Sequence, residues 1–213
     1  MREGDAMKER PILFSGPMVR AILEGRKTQT RRVVKCAFQS IEERDDGVLW
    51  LWREDCENAT DHWYPCPYGQ PGDRLWVRET WRGIVQVNGP HESFRLGVAQ
   101  YIPDQEHCCR VEYSATQEDC TGPWRPSIHM PRWASRILLE IVSVRVERLQ
   151  DISEDDAKAE GAPFELGELE RLILGAKAKY RSGFIRLWQS INGRESWDAN
   201  PWVWVIEFRR VQQ

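Results

Sequence analysis

Apolar and polar positions follow a helical spacing in SGPMVRAILEGRK, where Met18, Ile22 and Ala21 form a stripe. Ser15 is placed to cap this helix, Pro17 lies in its first turn and Gly25 stops it. From Thr30 onward the chain reads as extended. In RLWVRETW the period falls to two, so that Leu75, Val77, Glu79 and Trp81 share one face and Trp76, Arg78 and Thr80 the other. ILLEIVSVRVERL sets Val142, Val144 and Val146 against Ser143, Arg145 and Glu147. PWVWVIEF closes the pattern as a strand in which Trp202, Trp204, Ile206 and Phe208 alternate with Val203, Val205 and Glu207.

Between these strands the spacing predicts short helices. Ser153 opens SEDDAKAEGAP with Asp156 three residues on, Gly161 ends it and Glu160 takes the last helical position. A second helical region covers roughly residues 165–180, and a third places Phe184, Leu187, Trp188 and Ile191 on one face before Asn192-Gly193. Two prolines make WRPSIHMPRWASRI an ordered loop. Residues 36–71 read as an insertion carrying one hairpin, and 84–123 as a second insertion with strands near FRLGVAQYI and CRVEYSA. Strands joined by long connections, with few helices, predict a small mixed barrel of the α+β class, one domain over residues 1–213.

Composition narrows the function classes. With 213 residues and 41% hydrophobic content the chain can bury one substantial core. Its net charge of −3 leaves no global basic field for non-specific nucleic-acid binding, so a polyanion would have to meet a local patch. No stretch is apolar enough to span a membrane and the N-terminus lacks a signal-peptide core, which predicts a cytoplasmic protein with reduced cysteines. Cys56, His62 and Cys66 are the one grouping worth weighing as a metal site, and loop or core thiols are the commoner reading. Phosphate-cradling, dinucleotide, zinc-protease and serine-hydrolase motifs are all missing from the sequence. Most of the 11 tryptophans are expected in the core, and a minority can offer a pocket a flat stacking platform.

The chemistry concentrates in LEGRKTQTRR. Lys27 among Arg26, Arg31 and Arg32 feels like-charge repulsion, which lowers its pKa, and burial would lower it further. Such an amine can act as a base near neutral pH. Thr30, three residues on, supplies a hydroxyl that can serve as nucleophile or orient a water. The competing reading is an exposed basic strand edge. Glu79 likewise has two readings: a strand-end carboxylate paired with an arginine, or a polar group lining a cavity.

GRKTQTRR resembles the signature of the ASCH family, G-x-K-x-x-[ST]-x-R, through Gly25, Lys27, Thr30 and Arg32. PGDRLWVRETW, LQDISEDDAKAEG and WVWVIEF are similar to the family's later segments, so the likeness runs over residues 12–210, and the longer loops resemble its larger bacterial and bacteriophage members. What the resemblance implies is a PUA-like barrel, a module associated with RNA, and an N(4)-acetylcytidine amidohydrolase whose catalytic lysine, threonine and glutamate fall on Lys27, Thr30 and Glu160. On that expectation Arg26, Arg31, Arg32, Glu79, Trp124, Arg125, His129 and Arg132 are candidate substrate-binding residues, with Trp124 the stacking platform. The partner would be a modified nucleoside or RNA, and the chemistry needs no metal or other cofactor. Family members also include RNA binders and proposed nucleases, so a non-catalytic RNA-binding module is the alternative and a ribonuclease a third reading.

Overall fold

The computed structural model describes residues 7–55, 60–88, 94–117, 122–164 and 180–211. In chain order its elements are β1 (Glu9–Leu13), α1 (Gly16–Leu23), β2 (Gln29–Val33), β3 (Ser40–Glu43), β4 (Leu49–Asp55), β5 (Thr60–Trp63), β6 (Arg74–Arg78), β7 (Trp81–Asn88), β8 (Phe94–Val98), β9 (Cys108–Tyr113), β10 (Leu138–Arg148), α2 (Glu154–Ala159), α3 (Tyr180–Asn192) and β11 (Trp202–Val211). This is a strand-rich α+β protein. Among the described residues no sheet closes on itself, and no helix is long and apolar enough to cross a membrane. The chain divides into two compact units, Met1–Glu24, Arg74–Glu140 and Arg210–Gln213 in the first, Gly25–Asp73 and Ile141–Arg209 in the second.

In the first unit β1 runs parallel to β6, with Arg10 opposite Leu75 and Ile12 opposite Val77, and the start of β10 runs antiparallel along the other side of β6. Alternation sends Leu75 and Val77 into the core, as expected, but the strand breaks at Glu79 and Thr80 before β7 begins. Strands β8, β7 and β9 form a second, antiparallel sheet. Trp81 starts β7 fully buried against Met130 and Ala134. The double-proline loop is ordered through two 3-10 turns, Ser127–His129 and Arg132–Ala134. Helix α1 follows Ser15 and ends at Gly25, whose φ of 73° lies in the left-handed region that glycine adopts without strain. Its buried residues are Val19, Ala21 and Ile22, while Met18 stays half-buried.

In the second unit β11 lies between β10 and β2. Both of its faces are packed over, which is why its apolar run is nearly continuous. Trp204, Ile206 and Phe208 fill one face, where Trp204 meets Trp50 of β4 edge-on at 5.1 Å between ring centroids. Strands β3, β4 and β5 make a three-stranded antiparallel sheet where one hairpin was expected, because the mostly exposed β3 carries no alternation to read. The opposite face of β11 presents Val203 and Val205 to Leu149, Ile152, Ala157, Phe184 and Trp188. Burying a side chain the size of Phe184 contributes about 1.5–3 kcal/mol. Gly183 permits this docking of α3, since a Cβ there would stand 2.0 Å from the Pro163 carbonyl oxygen. The apolar stripe of α3 stops at Trp188 and leaves Ile191 exposed in the last turn. Val142 is also exposed, so the valine face of β10 is not simply its inner face. The helical region expected over residues 165–180 lies, apart from its last residue, outside the described residues.

Candidate functional site

Lys27 sits between the glycine that ends α1 and the first residue of β2. Its backbone forms an isolated antiparallel bridge with Glu160, and Thr28 N–H donates to the Ala159 carbonyl at 2.8 Å. Glu160 is the residue that caps the C-terminus of α2, a helix fixed at its other end by a capping box between Ser153 and Asp156. Gly161, with φ of 72°, turns the chain away. Two local stop signals, more than a hundred residues apart in sequence, therefore place an amine against a carboxylate.

The Lys27 side chain is fully buried and Nζ donates to three acceptors: the Gln29 carbonyl at 2.7 Å, the Glu160 carbonyl at 2.9 Å and Glu160 Oε2 at 2.8 Å. One of these is a helix-terminal carbonyl that has no partner within the helix, a position where a cation is favourable. The second Glu160 oxygen, Oε1, accepts from Arg31 Nη1 at 3.3 Å. Arg31 in turn reaches Glu147 Oε2 at 3.0 Å and Asp156 Oδ2 at 3.3 Å through Nη2. Arg145 completes the array, pairing with Glu147 and Glu207 and reaching Asp156 Oδ1 at 3.0 Å. Cross-strand register explains the convergence: Val205 lies opposite Arg31 and Glu207 opposite Gln29, so these residues share one face of the β10-β11-β2 sheet. Beside the charged end an open cavity of ≈ 350 Å³ is lined in part by Thr28, Gln29, Asp155, Asp156 and Glu207.

Burial is the largest influence on Lys27 and pushes its pKa down. The charge and hydrogen bond of Glu160 push it up, the charges of Arg32 and Arg31 push it down again, and the balance lies below the usual 10.5. Burial pushes the Asp156 carboxyl up, but the Ser153 hydroxyl and the charges of Arg31 and Arg145 outweigh it and hold the group below the ordinary aspartate value.

The basic cluster is thus not an exposed strand edge. Arg26 is exposed, Arg31 is buried, and Arg32 is partly buried with its guanidinium 6.0 Å from the Tyr68 ring. Arg31, expected to touch substrate, gives its guanidinium to three carboxylates. Thr30 is buried one position before it and, by strand alternation, lies on the opposite face of β2 from Gln29 and Arg31.

The remaining candidates belong to the first unit. Glu79 follows the first of its two readings: it is 1% exposed and bound in a fork by Arg136, Nε to Oε1 and Nη2 to Oε2, both at 2.9 Å. Trp124 carries the Arg82 guanidinium 4.3 Å from its ring centroid. Arg125 donates to the Ala99 carbonyl at 2.8 Å, Arg132 to Glu9 at 2.8 Å, and His129 is exposed at the end of a 3-10 turn. No three His, Cys, Asp or Glu among the described residues converge to hold a metal; His62 packs edge-on against Tyr64, Cys66 is a buried free thiol, and Cys56 lies outside the described residues.

Comparison with protein-family models, with curated proteins and with solved structures gives no match. The site therefore stands on its own geometry. The residues that sequence reasoning left out of it are Arg145, Glu147, Asp156 and Glu207. Their signal was an arginine and a glutamate two apart in β10, with a glutamate at the end of the apolar run of β11: opposite charges placed where neighbouring strands can pair them.

Proposed function

We propose that the protein is a metal-independent amidohydrolase of the ASCH type, with a PUA-like arrangement of its strands, that removes the acyl group from N(4)-acetylcytidine or a related modified nucleoside. The observation that carries this reading is the contact of Lys27 Nζ with Glu160 Oε2 at 2.8 Å inside the fold, in a setting that lowers the pKa of the amine. Lys27 and Glu160 are also two of the three positions the family resemblance assigns to catalysis, and they were assigned from segments with no sequence relation to each other. Thr30, the third, is buried in the adjoining strand but on the opposite face of β2 from Gln29 and Arg31.

In the proposed reaction water attacks the acetyl carbonyl carbon, the bond from that carbon to N4 breaks, and acetate and cytidine leave. Lys27 gives a proton to Glu160 across their contact and, now neutral, takes one from the attacking water, while Glu160 passes its proton to the departing amine. The positive charge of Arg32, close enough to act on Lys27, favours the developing oxyanion. The reading as a non-catalytic RNA module draws less support, because Arg31 is sealed from phosphate by its carboxylate partners.

The test is chromatography of N(4)-acetylcytidine incubated with wild-type and Lys27→Ala protein without added metal. Cytidine is expected with the wild type alone. A wild-type protein silent against a panel of acylated nucleosides removes the proposal.

A further inference from the structure

The ionic contacts around Lys27 form a chain of alternating sign that runs outward from it: Lys27, Glu160, Arg31, then Glu147 and Asp156 side by side, Arg145 and Glu207. Its inner members are sealed, with side-chain exposure of 0% at Lys27 and Arg31 and 4% at Glu160, and its outer members reach the surface, with 25% at Glu147 and 39% at Glu207. A structural ion pair needs no such gradient. Glu147 occupies the turning point. It takes Arg31 Nη2 on one oxygen and Arg145 Nε on the other, and so holds Arg31 on the far side of the Glu160 carboxylate from Lys27.

We propose that Glu147 is a positioning residue for the Lys27–Glu160 pair: by neutralising and anchoring Arg31 it sets whether the proton between amine and carboxylate stays on Lys27. The use of this device in hydrolysis rests on the function proposed above; the device itself rests on the contacts. The charged groups acting on Lys27 directly are Glu160 from the cap of α2 and Arg31 and Arg32 from β2; Asp156 from α2 and Glu147 from β10 join them through Arg31, and Arg145 from β10 and Glu207 from β11 lie one contact further out. Without the negative charge of Glu147, the field of Arg31 falls less compensated on Lys27 and drives the proton off at lower pH. Without Arg31 the repulsion is gone and the proton is held to higher pH. The two changes move Lys27 in opposite directions, which simple loosening of the fold does not do.

The experiment follows the Lys27 ε-carbon by NMR through a pH titration of the full-length protein with ¹³C-labelled lysine, the resonance being assigned from its absence in Lys27→Arg. In Glu147→Gln, an isosteric change at a quarter-exposed side chain, the midpoint is expected to fall by about one pH unit, the size of one lost negative charge acting through a partly screened interior. In Arg31→Met it is expected to rise. A midpoint unchanged in Glu147→Gln overturns the proposal, and so does displacement of both variants in the same direction. If Arg31→Met does not fold, Glu147→Gln alone decides by the same criterion. The pH dependence of acetylcytidine hydrolysis separates the two readings. Turnover with an unmoved midpoint overturns the role of Glu147 and leaves the activity standing, whereas a moved midpoint without turnover supports the charge relay and removes the activity.

Discussion

Each unit of this protein buries a glutamate against a cation, and the two arrangements differ in the one respect that matters for chemistry. In the first unit Glu79 meets Arg136 in a two-point fork, with the guanidinium also 3.9 Å from the Tyr113 ring centroid and bonded to the Thr116 hydroxyl at 3.1 Å. A guanidinium keeps its proton at any pH the fold survives, so that pair can only hold structure together. In the second unit the cation is an amine, which can release its proton, and the carboxylate is divided between that amine and Arg31. Under the proposed function, similar burial yields a clamp in one place and a proton-exchanging site in the other. The choice of lysine over arginine makes the difference.

The largest effect is expected from Lys27→Met. It leaves the Glu160 carboxylate buried without its amine, an expected loss of about 3–5 kcal/mol in urea unfolding, and under the proposed function it removes a general base expected to contribute about 10²–10⁴-fold to turnover. Arg136→Met is expected to cost a comparable about 3–5 kcal/mol, because Glu79 loses both arms of its fork. Equal stability losses from the two would show that the sites do not differ in what they contribute to the fold.

Alkaline pH sharpens the contrast. Because the folded pKa of Lys27 lies below 10.5, the unfolded chain binds more protons than the folded one between the two values. The contribution of Lys27 to stability therefore rises with pH across that window, is complete above 10.5 and is lost as pH falls through the folded value. Unfolding free energies of wild type and Lys27→Met measured from neutral to alkaline pH should diverge accordingly, with no such slope from Arg136→Met. Acid acts on both units alike. Asp156 in the second and Glu112 in the first have folded pKa values held below the ordinary carboxylate range, Glu112 because Arg82 and Arg110 outweigh the upward push of its burial. Their stabilising contributions are present above the unfolded values and lost as pH falls through the folded ones, so Asp156→Asn and Glu112→Gln should each flatten the acid limb of the stability curve. The smallest effect expected is at Ser153. Replacing this cap by alanine removes the bond from Asp156 N–H at 3.0 Å and should cost about 1 kcal/mol, read as a lowered midpoint of thermal unfolding.

What was legible in the sequence was whatever local chemistry decides. Gly25 ends α1, while Ser15 stands at its N-cap without a side-chain bond; Ser153 and Gly161 bound α2, and the alternation of WVWVIEF marks β11. Lys27 and Glu160 were legible too, as a basic motif and a helix-end glutamate, and both are held in place by those same stop signals. The outer part of the ion network was not. Arg145 and Glu147 look like the solvent side of a half-buried strand when β10 is read alone, and only its neighbours β11 and β2 turn that side inward against α2. The exposed Val142 and Ile191 failed for the same reason in reverse: periodicity names a face, while the packing partner decides how far along the element that face stays covered. β3 carried too little burial to leave a pattern at all.

The most direct measurement is hydrolysis of N(4)-acetylcytidine by a Lys27→Arg variant whose fold is confirmed by circular dichroism. The guanidinium can still face Glu160 but cannot give up its proton, so the account predicts a folded protein without turnover. Hydrolysis at the wild-type rate by that variant would show that no neutral amine is required at position 27, and would contradict the account at its centre.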